Sequence, residues 1–141
     1  MLIYNKTNQT APRGIRNNNP MNLVKTPIPW KGKVPHTKNT DSRFEQFVSA
    51  EWGIRAGWRD VTGDIERKGL YNLYLLLNEF APSTENNTSA YVDAVSNAIG
   101  VSPLEPIPSA KYPELIAAII KHENGINPYS LEFIKHSAEL G

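Results

Sequence analysis

Residues 112–129 read YPELIAAIIKHENGINPY. Pro113 suits the first turn of a helix, where its missing N–H leaves nothing unpaired. Leu115, Ile116, Ile119 and Ile120 recur at helical spacing and form one apolar stripe. Glu123 lies three residues past Ile120 and four past Ile119, so it sits on the same face. Asn124 and Gly125 follow, and glycine is a natural helix stop. The stretch predicts a buried helix that delivers a glutamate to the edge of the core. Two readings of that glutamate are open: an ordinary helix-end residue, or a partly desolvated carboxyl whose pKa rises. An acid that keeps its proton near neutral pH can protonate a leaving oxygen.

The helical period extends upstream. Ser49 is placed to cap AEWGIRAGWRDVTGDI, in which Ile54, Trp58, Val61 and Ile65 share a stripe. A second helix follows Asn72 through LYLLLNEF and stops before Pro82. A third runs through SAYVDAVSNAI, with Tyr91, Val92, Val95 and Ile99 on one face and Gly100 at its end. The Pro-rich linker VSPLEPIPSAKYP leads into the glutamate helix. Ser130 is placed to cap a last helix through Leu140.

Residues 1–48 differ. Five prolines within the first 35 residues (Pro12, Pro20, Pro27, Pro29 and Pro35) exclude long helices. NLV at 22–24 and RFEQFV at 43–48 read as short strands, with PWKGKV at 29–34 as a turn around Gly32. The expected class is mainly α (α+β): a helical domain with a small N-terminal β-hairpin lobe. A single domain spans 1–141, with 1–11 as an N-terminal arm.

Composition narrows the function. At 40% hydrophobic and 21% charged residues the chain is an ordinary globular one. A net charge of +1 argues against nucleic acid as a partner. Without cysteine, thiol catalysis and thiolate metal sites are excluded. His36, His122 and His136 share no metal-binding spacing, so no metal or other cofactor is expected. No run of 18 apolar residues predicts a membrane span. MLIYNKTNQT lacks the basic and apolar regions of a signal peptide.

Several blocks carry a resemblance. PRGIRNNNPMNL at 12–23 resembles the PRGIRNNNPGN opening of a family of phage virion-associated proteins similar to peptidoglycan-degrading lysozymes and lytic transglycosylases. PWKG at 29–32, DSRFEQFVSAEWGIRAGWR at 41–59, FAPSTENNTSAYVDAVSNAIGV at 80–101 and AIIKHENGINPY at 118–129 continue it in order. The last block is similar to the E-S/N-G segment that carries the catalytic glutamate of lysozyme-like transglycosylases. There the segment usually precedes the β-lobe; here it comes last, which implies a circularly permuted lysozyme-like domain. Met21 stands where the family usually has Gly, and Phe80 where it usually has Trp. If that glycine needs φ > 0, Met21 would strain the 17–23 loop.

The resemblance implies cleavage of the β-1,4 glycan strand of peptidoglycan, with Glu123 as general acid. It implies a phage virion protein acting in the host periplasm or cell wall, with other virion proteins as possible partners, or an endolysin released by a holin. The rival is a non-catalytic virion or glycan-binding module. A two-carboxylate hydrolase needs a second group. Asp41 and Glu45 are the candidates, each alternatively a solvated hairpin residue. Transglycosylase chemistry instead lets the substrate's C6 hydroxyl attack. Asn17, Asn18, Asn19 and Asn22 offer amides to sugar hydroxyls, or form turns. Trp30 is a stacking platform or a core cap. Tyr91 lines the groove or lies in the core. Arg16 and Arg55 suit structural ion pairs.

Overall fold

A computed structural model describes residues 11–80 and 87–141. It is mainly helical. A one-turn α1 (Arg13–Arg16) precedes five longer helices: α2 (Ala50–Glu66), α3 (Leu73–Phe80), α4 (Thr88–Ile99), α5 (Tyr112–Asn124) and α6 (Leu131–Ala138). Each longer helix lies where the apolar spacing predicts it. The ends follow local chemistry. Asn72 Oδ1 accepts from Leu75 N, Asn87 Oδ1 from Ala90 N, and Ser130 Oγ from Phe133 N. These caps satisfy donors that the first turn leaves free. Gly100 and Gly125 close α4 and α5 in the left-handed conformation. Ser49 precedes α2 without a side-chain cap bond, and α6 ends two residues earlier than expected.

The stripe of α5 is the centre of the core. Leu115, Ile116, Ile119 and Ile120 are fully buried, each contributing about 1.5–3 kcal/mol of transfer free energy. The helix packs against α4, α6, α1 and α2, while α2 also packs along α6 and α3. Of the proposed arm, only Ala11 falls within the described residues. It is buried, and its carbonyl accepts from Arg16.

The expected β-hairpin lobe is not formed. Among the described residues there are only two isolated antiparallel bridges, Val24–Phe44 and Lys33–Phe47. The reason is how the backbone is satisfied. Buried Asn19 accepts from Leu23 N and donates to the carbonyls of Leu23 and Glu45. Asn18 donates to Phe47 O, and Asp41 Oδ1 accepts from the N–H groups of Arg43 and Phe44. Pro27, Pro29 and Pro35 have no N–H to offer. Backbone bonds join the segments from Lys25 N to Arg43 O, Glu45 N to Leu23 O, Val34 N to Gln46 O and Val48 N to Gly32 O, but side chains take the neighbouring places that would extend them into a ladder.

Met21 carries no strain. The positive φ values of this loop fall on Asn18 and Asn22, at 52° and 54°, and asparagine tolerates that region. Met21 is instead fully buried, its sulfur against Gly57 of α2. The loop comes so close that a Cβ on Gly53 would lie 1.7 Å from the Asn18 carbonyl oxygen. Glycine is thus required on that face of α2.

Candidate active site

Glu123 occupies the last turn of α5, half-buried at the end of the apolar stripe. Two neutral groups hold it. Asn22 Nδ2 donates to Oε1 at 3.0 Å and the Tyr91 hydroxyl to Oε2 at 2.8 Å. These partners come from 101 and 32 residues away in sequence. Among the described residues no cation pairs with Glu123. The carboxyl is therefore oriented without being neutralised.

Each partner is itself fixed. Tyr91 is fully buried on α4 and stacks on His122, ring centroids 3.8 Å apart. Burial and the neighbouring Glu123 carboxylate raise the Tyr91 hydroxyl well above its ordinary pKa, so it remains a donor. Asn22 sits at the end of the turn formed by Asn22 N donating to Asn19 O. Asn124 ties this loop to α5, donating to Pro20 O at 2.7 Å and Ile120 O at 2.9 Å. His122 and Asn124 carry no periodic signal that marks these roles. Only their adjacency to Glu123 points to them.

The two candidate second carboxylates lie elsewhere. Asp41 forms a bidentate pair with Arg13, at 2.7 and 2.8 Å, and accepts from Asn17 Nδ2 at 2.9 Å. The Arg13 hydrogen bond first, then the Phe44, Asn17 and Arg43 donors, hold its pKa well below the usual carboxylate range, against the effect of burial. Glu45 is fully buried. It accepts from Lys33 at 3.0 Å and from the Thr26 N–H at 3.1 Å, and meets His36 Nε2 at 2.9 Å. Neither touches Glu123, and both hold the lobe together.

Asp41 yields a stability prediction. A carboxylate with a depressed native pKa stabilises the fold fully above its unfolded value near 4, and the contribution is lost as pH falls toward the native value. Asp41→Ala should cost about 1–2 kcal/mol at pH 7, discounted because the pair lies at the surface. Thermal melts should show that gap closing as pH drops below about 4.

The asparagine run divides. Asn17 bonds Asp41 and Gln46, while Asn18 and Asn19 bond the lobe backbone. Of the four, only Asn22 reaches Glu123. Trp30 is partly buried against the cluster of Leu23, Phe47 and Ala56. It also lines a cavity of about 210 Å³ with Asn22, so it faces open space as well as the core. Arg55 donates to Leu140 O at 2.9 Å, and Arg16 to Ala11 O, so both bind carbonyls rather than the expected carboxylates. Among the described residues no helix is long and apolar enough to cross a membrane.

No family model matches the chain. Over 134 residues it is 36% identical to a protein of Pseudoalteromonas phage PM2 named Protein P5, a match covering 93% of this chain and 82% of that protein.

Proposed function

The chain belongs to the family of Protein P5 of phage PM2, and we propose that it is a phage-encoded, lysozyme-like enzyme that cleaves the β-1,4 glycan strand of bacterial peptidoglycan. The observation that supports this reading is Glu123: a half-buried carboxyl with two neutral donors and no paired cation among the described residues. Two neutral donors fix the orientation of this carboxyl without a counter-charge, the positioning that general acid–base catalysis requires. The phage relative supports placing the protein in or on a virion; on this reading its substrate is the wall in the host periplasm.

The engagement of Asp41 and Glu45 favours a lytic transglycosylase course over a two-carboxylate hydrolysis. Glu123 gives its proton to the glycosidic oxygen as the bond to C1 breaks. The C6 hydroxyl oxygen of the same muramic acid then bonds C1, and its proton returns to the Glu123 carboxylate. The product is a 1,6-anhydro end, and the acid is regenerated.

The test is digestion of purified peptidoglycan sacculi followed by mass analysis of the soluble products. Anhydromuramic ends are expected. Reducing muramic ends would mean hydrolysis. An absence of products would leave a non-catalytic virion or glycan-binding module.

A further inference from the structure

The 210 Å³ cavity beside Asn22 adjoins a second of about 690 Å³, and the two share Ile28, Trp30, Asp60, Asp64 and Lys68. Together they form a groove that starts at the Glu123 partner Asn22 and runs along the polar face of α2. Trp30 and Ile28 form its apolar wall. Trp58 continues that wall at the far end.

Asp60 faces both halves of the groove. It is half-buried, yet it has no hydrogen bond or ion pair among the described residues. Its neighbour Asp64 differs, lying 3.4 Å from Lys68. Burial first, then the charges of Asp64 and of Glu79 on α3, push the Asp60 pKa up to about 6, with Lys68 opposing. Arg59 and Arg67 are the other charged side chains of the groove. A carboxyl left unpaired in a cleft marks a place for an incoming donor.

The chemistry on the two walls is complementary to a pyranose. An aromatic face takes the apolar C–H face of the ring, and a carboxylate accepts from its hydroxyls, more strongly than a neutral group would. We propose that this groove holds a sugar ring of the glycan next to the cleavage point, with Trp30 stacking on the ring and the ionised Asp60 accepting from its hydroxyls. The proposal rests on the glycan-cleaving reading above and makes Asp60 a sugar-binding group beside Glu123, not a second catalytic carboxylate.

A proton linkage follows. The sugar stabilises ionised Asp60, so uptake of the sugar near pH 6 releases a proton, and below that pH the acid must first give its proton up. Affinity should therefore rise with pH. The probe is N-acetylglucosamine tetramer, titrated into Glu123→Gln protein so that nothing turns over. Binding should be roughly five- to tenfold tighter at pH 7.5 than at pH 5, from a pKa near 6. In Glu123→Gln/Asp60→Asn that pH difference should vanish. Calorimetry at pH 6 in two buffers of different ionisation enthalpy reads the released proton without any change at Asp60.

No binding at millimolar probe, a pH-independent affinity, or an unchanged pH difference without Asp60 would each overturn the proposal. The two readings can fail separately. Sacculi cleaved by wild type, with no such pH signature, would sink the groove and keep the enzyme. The signature in a protein that releases no products would keep the groove and sink the enzyme.

Discussion

Glu123→Gln should lower the rate of peptidoglycan digestion by about a thousandfold or more, within the range that a positioned general acid supplies. That is about 4 kcal/mol of transition-state stabilisation. The substitution changes little else. Glutamine has the same shape, and its carbonyl oxygen can still accept from Asn22 or Tyr91, so the melting temperature should move by only a few degrees. The combination is diagnostic: a folded protein that has lost its proton donor. Tyr91→Phe should be milder, about tenfold in rate, since the carboxyl survives and loses one of two orienting bonds. Its stability cost should be about 1 kcal/mol, the worth of a hydrogen bond. Turbidity loss of sacculi, with circular dichroism melts on the same samples, measures both. Equal digestion by wild type and Glu123→Gln would remove Glu123 from the chemistry altogether.

That the place of Glu123 at the edge of the core could be read from sequence has a simple cause. Its face is set by the spacing of Ile119 and Ile120, and a helical face is a local property. The longer helices were legible for the same reason, down to the Ser130 cap, though Ser49 makes no cap bond. α1 was not, because four residues make no stripe. The lobe misled for a different reason. RFEQFV alternates well enough to suggest a strand, but alternation says nothing about which groups satisfy the backbone. Here Asn18, Asn19 and Asp41 do so, and a run of asparagines reads equally well as a sugar-binding loop. The ion pairs of Asp41 and Glu45 were not legible because a sequence shows charges and not their partners. Arg13 lies 28 residues from Asp41, and Lys33 12 residues from Glu45. Asp60 was overlooked because it lies off the apolar stripe of α2, where a charge is expected to be solvated. Only the turn bearing Trp30, folded over that face, shows otherwise.

Lys33→Met should destabilise the protein by about 3–5 kcal/mol, the cost of stranding a buried charge. Glu45 is fully buried. Lys33 Nζ is placed to compensate it and also donates to the carbonyls of Thr26 and Ile28, at 2.8 Å each. Methionine fills similar volume but leaves the carboxylate with Thr26 N–H and the partly exposed His36, and leaves two carbonyls short of a donor. For a chain of this size the melting temperature should fall on the order of 10–15 °C. The double variant Lys33→Met/Glu45→Leu decides what that loss means. If the cost is that of an orphaned charge, removing both ends should recover most of it, with a coupling of 2 kcal/mol or more. If the double variant is as unstable as the single one, the pair itself is worth the full amount. The consequence reaches the groove. Lys33, Thr26 and Ile28 anchor the turn that presents Trp30, so Lys33→Met should also weaken tetrasaccharide binding at every pH, in contrast to Asp60→Asn, which should act only where Asp60 is ionised.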